Sequence, residues 1–210
     1  MKIQIINVGL GNVASIQNML KKIGYTANLS EVPDSQEMPD LIILPGVGAY
    51  DAGMAMLDKF GWMSYLKDVS AEGTVSILGI CLGMQLLCNG SEEGVRSGLG
   101  LISGHFKRFN FDNPSLKVPH MGWNTVELTE VGRYLFPISE PMPRFYFVHS
   151  YYYYESHNDF VAGWSNYGHR FGALIHSKSV TGVQFHPEKS HRFGMQFFQT
   201  YIKSRCSNIE

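Results

Sequence analysis

Ser76-Ile77-Leu78-Gly79-Ile80-Cys81-Leu82-Gly83-Met84-Gln85-Leu86-Leu87 is the stretch whose reading decides the fold. An apolar run enters a glycine-flanked cysteine and leaves as a second apolar run, which predicts a buried strand, a very tight turn and a helix. Gly79 and Gly83 remove the two side chains that would collide where a strand turns sharply into a helix. The same steric logic shapes the Gly-x-Ser-x-Gly elbow, which holds a nucleophile on a strained turn at the top of a sheet. Cys81 would stand at a helix N-terminus, where aligned peptide dipoles favour thiolate over thiol. The competing view is a small buried hydrophobe, as most free cysteines are. A base elsewhere in the chain decides between them.

Upstream of the elbow, strand and helix patterns alternate. Residues 2–8 form an apolar run that ends in Gly9-Leu10-Gly11-Asn12. Val13, Ile16, Met19, Leu20 and Ile23 then recur at helical spacing, with Gly24 as the stop. Residues 25–32 read as a second strand. Asp40-Leu41-Ile42-Ile43-Leu44 reads as a third, broken by Pro45-Gly46-Val47-Gly48, and a helical stretch runs to about Val69. This alternation predicts an α/β fold, an open, mostly parallel sheet flanked by helices, with sites at the carboxyl ends of its strands. Beyond Gly98 the pattern changes to short β-like runs at 104–111, 124–128, 144–154, 160–165, 171–176 and 180–185. They predict antiparallel or mixed strands that complete the sheet and add a small second one, before a closing amphipathic helix over 194–204. No repeat or linker interrupts residues 1–210, so one domain is expected.

Composition narrows the function classes. Hydrophobic residues are 44% and charged residues 17% of the 210, an ordinary globular balance. A net charge of −1 gives no electrostatic case for nucleic acid or an anionic membrane. Cys81, Cys88 and Cys206 are too few for a disulfide framework and suit a reducing compartment. The N-terminal residues enter a strand directly and no apolar run is long enough to span a bilayer, so a cytoplasmic protein is expected.

Four stretches carry candidate chemistry. Gly9-Leu10-Gly11-Asn12-Val13-Ala14 fits Gly-x-Gly-x-x-Ala after a strand, with Glu31 near the distance of a ribose-binding acid. That pattern suits a dinucleotide site or simply a tight turn. Gln184-Phe185-His186-Pro187-Glu188-Lys189-Ser190 presents an imidazole and a carboxylate two residues apart, which in extended chain point the same way. They form the base and orienter half of a cysteine triad; a zinc deaminase would need a Pro-Cys-x-x-Cys partner, which is missing. In Leu44-Pro45-Gly46-Val47-Gly48, glycines free the Val47 peptides to turn an N–H into a cleft beside that of Leu82, as an oxyanion hole requires. Pro119-His120-Met121-Gly122-Trp123-Asn124 and Tyr146-Phe147-Val148-His149-Ser150-Tyr151 are aromatic-rich. Most of those rings suit a core, but Trp123 beside Gly122 also suits an exposed interface anchor.

Together these stretches, with Ser91-Glu92-Glu93-Gly94, resemble the class I glutamine amidotransferases over nearly the whole chain, and are most similar to the glutaminase subunits of imidazole glycerol phosphate synthase. The resemblance implies that Cys81 attacks the side-chain amide of glutamine, with His186 as general base and Glu188 orienting it. It implies oxyanion N–H groups at Gly48 and Leu82, and glutamine-binding roles for Gln85, Glu93, His149, Ser150 and Tyr151. Neither a cofactor nor a metal is implied. The implied partner is a (β/α)₈-barrel cyclase, docked at Pro119, His120, Met121, Gly122, Trp123 and Asn124 and receiving the ammonia for histidine biosynthesis. In such subunits the strand at Gly46 to Gly48 is thought to switch when the partner holds ligand. One departure is Asn7-Val8-Gly9 where the family usually has Asp-Tyr-Gly. Paralogues that supply ammonia for a surface-polysaccharide sugar look similar, and a non-catalytic binding module is the remaining alternative. Under this resemblance Gly9-Leu10-Gly11-Asn12 is only the first strand-to-helix turn.

Overall fold

The computed structural model describes residues 1–34, 36–138, 142–154 and 159–206, without the Cys206 side chain. Its first half alternates as the sequence predicts: β1 (Ile3–Ile6), α1 (Val13–Lys22), β2 (Ala27–Ser30), β3 (Leu41–Gly46), α2 (Tyr50–Lys59), α3 (Trp62–Glu72), β4 (Ser76–Cys81) and α4 (Leu82–Leu87). The second half is rich in strands: β5 (Gly90–Ser91), β6 (His105–Arg108), β7 (His120–Thr125), β8 (Glu127–Leu128), α5 (Glu130–Leu135), β9 (Arg144–His149), β10 (Tyr151–Tyr154), β11 (Val161–Tyr167), β12 (His169–Ser177) and β13 (Val180–Val183). A 3₁₀ turn (Pro187–Lys189) and α6 (His191–Cys206) follow.

The main sheet runs β2-β1-β3-β4-β13-β12-β10-β6-β5, with β11 and β8 branching from β12. Pairing is parallel from β2 to β13 and antiparallel from β13 to β6. β7 and β9 form a separate antiparallel pair. Leu41 and Ile43 face one apolar cluster, with Phe145, Phe185 and Phe197; Ile42 and Leu44 face the other, with Tyr50, Trp62 and Leu86. That alternation is the period of a strand covered on both faces. Each fully buried Phe or Leu stabilises the fold by roughly 1.5–3 kcal/mol. Phe145 of β9 stacks on Phe185 at 3.9 Å between ring centroids, which fixes the small sheet against the segment leaving β13.

Four boundaries differ from the sequence expectation. β3 does not stop at Pro45 but continues through Gly46, paired with Ile80 and Cys81. Pairing with β1 has ended by then, at Ile43, so the missing proline N–H is tolerated as it is at a sheet edge. The helical stretch to Val69 is two helices, split at Gly61 in the left-handed region (φ 77°). The run 144–154 divides at Ser150 between the two sheets, and 124–128 divides between β7 and β8. Helix α5 was not anticipated; its signal is Thr129, whose hydroxyl caps it by accepting from the Gly132 N–H at 3.2 Å. Among the described residues no helix is long and apolar enough to cross a membrane.

Candidate active site

The elbow forms as its glycines require. Cys81 ends β4 and caps α4 with φ 54° and ψ −110°, a conformation costly for a residue with a side chain. A Cβ on Gly83 would collide with the Leu44 carbonyl of β3, and one on Gly79 would lie 2.7 Å from the Gly83 backbone. These contacts press α4 onto the sheet, and Cys81 is only 6% exposed.

Parallel pairing of β13 with β4, Val183 opposite Ile80, carries the chain past the thiol. His186 is buried, and its Nδ1 lies 2.7 Å from Glu188 Oε1. Burial opposes the imidazolium, yet interaction with the Cys81 thiol and with Glu188 outweighs it and raises the His186 pKa to about 10. The turn is held by Ser190, whose hydroxyl donates to the His186 carbonyl at 2.6 Å and accepts from the Tyr146 N–H at 3.0 Å. The His186 N–H in turn donates to the Tyr146 carbonyl at 2.9 Å. Gln184 is a residue the sequence reading missed. Its Nε2 donates to Cys81 Sγ at 3.6 Å, and its Oε1 accepts from Gln85 Nε2 at 3.3 Å. The available signal was its place two residues before His186, hence on the same face.

One cavity of about 280 Å³ is lined by Cys81 and His186 together with Gly48, Leu82, Gln85, Glu93, His149, Ser150 and Tyr151. All the residues expected at a glutamine pocket therefore converge; Glu188 stands behind His186 instead of lining it. Burial raises the Glu93 pKa, with a Tyr50 backbone hydrogen bond acting against it. Of the segment expected at a partner interface, only Pro119 lines the cavity. Strand alternation divides the rest: Met121 (62% exposed) and Trp123 (40%) face outward, whereas His120 (3%) is buried. His120 is thus no surface residue, which corrects the reading of 119–124 as one interface block. Gly48, the expected oxyanion donor, lines the cavity and holds φ 105°, and the preceding Val47 N–H donates to the Leu10 carbonyl. The same bond, with Pro45 3.2 Å from where a Gly11 Cβ would lie, shows that the Gly9-Leu10-Gly11 turn serves close packing.

Behind the pocket wall runs a directional chain of hydrogen bonds. His149 Nδ1 lies 2.8 Å from the Tyr151 carbonyl, which only accepts, so Nδ1 carries the proton and Nε2 accepts. His120 Nδ1 must then donate to His149 Nε2, at 2.9 Å. Asn124 Nδ2 lies 3.3 Å from the remaining His120 nitrogen. Burial keeps both rings neutral, lowering the His120 pKa to about 4 and that of His149 to about 3.

A family model described as glutamine amidotransferase class-I matches residues 4–203. Among similar proteins, "Imidazole glycerol phosphate synthase subunit HisH 2" of Pseudomonas aeruginosa is 44% identical over 201 residues, covering 96% of this chain and 98% of the relative. The protein of the same name from Methanococcus maripaludis is 41% identical over 201 residues, with the same coverage. A solved structure titled "Crystal structure of glutamine amidotransferase" superposes with a TM-score of 0.75 at 15% identity, over 98% of this chain and 100% of the other, a likeness of fold. Elbow, imidazole–carboxylate pair, fold and sequence all lead to one conclusion: this chain belongs to the class-I glutamine amidotransferase family.

Proposed function

We propose that this chain is the cytoplasmic glutaminase subunit of an imidazole glycerol phosphate synthase. The observation that carries the reading is the convergence of Cys81, His186 and the pocket residues on one cavity, in a chain similar to HisH subunits over nearly its full length. Cys81 attacks the side-chain amide carbon of L-glutamine. The imidazole of His186, steadied by Glu188, holds the thiol proton and gives it to the departing ammonia. The tetrahedral oxyanion is met by the backbone N–H groups of Leu82, at the start of α4, and of Gly48. Water then cleaves the γ-glutamyl thioester, releasing glutamate and restoring the thiol. Gln85 and Glu93 bind the α-amino and carboxylate ends of the substrate, and His149, Ser150 and Tyr151 form the wall beside them.

The ammonia passes to a (β/α)₈-barrel cyclase, which forms imidazole glycerol phosphate and AICAR in histidine biosynthesis. The exposed side chains of Met121 and Trp123 support docking on that face. Trp123→Ala is expected to weaken the heterodimer or to uncouple glutamine hydrolysis from acceptor amination; a variant unchanged in both would remove that segment from the interface. A second acceptor, a surface-polysaccharide sugar, is the alternative to which the Asn7-Val8-Gly9 departure points. Supplying purified protein with glutamine, each candidate partner and each acceptor, and measuring which acceptor is consumed, decides between them. If no partner raises hydrolysis above that of the isolated chain, a non-catalytic role replaces both.

A further inference from the structure

At the opposite end of β4 from Cys81, a cavity of about 280 Å³ is lined by Thr74 and Ser76, by Lys178 and Ser179, and by Arg205 of the last turn of α6. Arg205 is only 9% exposed, and its Nε and Nη2 have no hydrogen-bond partner among the described residues. Those two N–H groups share one edge of the guanidinium, the edge that presents parallel donors to a carboxylate or phosphate. The Tyr201 ring lies 5.1 Å from the guanidinium carbon and covers its face, which leaves that edge unengaged. The Ser179 hydroxyl oxygen, buried in a residue that lines the same cavity, has no partner among the described residues either.

The charge balance points the same way. Among the described residues, Asp40 is the one carboxylate lining the cavity. It accepts from the Lys2 N–H and lies 3.9 Å from the Met1 ammonium, so it is already compensated. Beyond Asp40, Arg205 and the exposed Lys178 find no anion among the described lining residues. A buried cation with an unpaired donor edge is unfavourable until an anion completes it.

We propose that this cavity binds a small oxyanion, the phosphate or carboxylate group of a metabolite. Arg205 holds it side-on, with Ser179 donating and Lys178 adding charge. The site is independent of the amidotransferase chemistry but not remote from it in the chain. β4 and β13, adjacent and parallel, both start here and lead to Cys81 and to the segment carrying His186. A bound anion therefore ties together the near ends of the two strands whose far ends carry the thiol and the imidazole.

Thermal unfolding of the full chain at constant ionic strength, with inorganic phosphate, malonate or chloride, tests this. Phosphate or malonate is expected to raise Tm saturably relative to chloride, as a ligand of the native state does. The anion with the lower half-saturation identifies the preferred class. Arg205→Gln should raise that half-saturation about ten-fold or more, and Ser179→Ala by about three- to ten-fold. Ser179→Ala keeps the test open if Arg205→Gln does not fold. No saturable shift with either anion, or a shift unchanged in the variants, overturns the proposal.

Discussion

Cys81 adopts a backbone conformation that few residues with side chains tolerate, and the surrounding close contacts at Gly79 and Gly83 hold it there. Strain of this kind sets Cys81 apart from Cys88. The latter is fully buried, with its thiol donating to the Met84 carbonyl at 3.7 Å. A glutamine-like chloroketone should therefore label Cys81 and not Cys88, and Cys81→Ser should lower glutamate release by about 10³-fold or more with an unchanged circular-dichroism spectrum. Labelling of Cys88, or activity retained in the variant, contradicts the assignment. Glu188→Gln tests the second pair. His186 has a folded pKa of about 10, above its ordinary 6.5. Its protonation thus contributes stability in full below pH 6.5, and the contribution fades as pH rises toward 10. Removing the carboxylate should cost more stability at pH 6 than at pH 10, shift the alkaline limb of kcat/KM to lower pH, and lower kcat/KM about ten- to hundred-fold at neutral pH. An alkaline limb that stays in place would assign Glu188 no electrostatic role. Cys81, His186 and Glu188 were legible in the sequence because each depends on neighbours one or two positions away. Gln184 was marked only by sharing a face with His186, and Ser190 by nothing: their partners, Cys81 and Tyr146, are brought to them by strand pairing and the fold of the turn.

Strand β7 shows how an element distributes roles that a linear motif blurs. The run from Pro119 to Asn124 looks like one unit, but its period of two sends Met121 and Trp123 to solvent and His120 inward. His120 stacks on Tyr167 at 4.1 Å and Phe147 at 5.0 Å and donates to His149. His149 then fixes the Tyr151 carbonyl, at the pocket wall. His120→Phe keeps the stacking and deletes the donor, leaving His149 Nε2 buried and unpaired at a cost of about 1–3 kcal/mol. The expected kinetic outcome is a KM for glutamine raised about ten-fold with kcat much less affected, since the change acts on the pocket wall and not on the thiol. An unchanged KM would reduce His120 to a packing residue. The strands of the first half were legible because continuous apolar runs and glycine stops are local signals. The boundaries at Ser150 and Val126 were not, since one run of aromatic and β-branched residues serves two sheets and only tertiary pairing divides it.

Across the whole molecule, buried imidazoles set opposing pH demands. His186 is stabilised as the cation by Cys81 and Glu188, whereas His120, His149 and His176 are held neutral chiefly by burial. The neutral set could not be read from the sequence, because a histidine in a strand carries no mark of whether its neighbours leave it any water. For these three the folded pKa lies below 6.5, at about 4, 3 and 4. The unfolded chain therefore binds more protons between pH 6.5 and about 4, and stability must fall as pH drops through that window. Each such group contributes a slope of about 1.4 kcal/mol per pH unit while it is protonated only in the unfolded state. His186 is protonated in both states below 6.5 and adds no slope there. Urea unfolding at pH 7, 6, 5 and 4.5 should show a steep loss of stability on the acid side, steeper than carboxylate titration alone produces above pH 5. His176 accounts for one share of it. His169 is also held low by burial, and the His176 ring bonds the Thr181 hydroxyl at 3.0 Å within the β12–β13 hairpin, so His176→Gln, polar and not titrating, should flatten the slope by roughly a quarter to a third. A stability profile flat between pH 6.5 and 5, or a slope unaltered in that variant, would show that these imidazoles reach protons without unfolding.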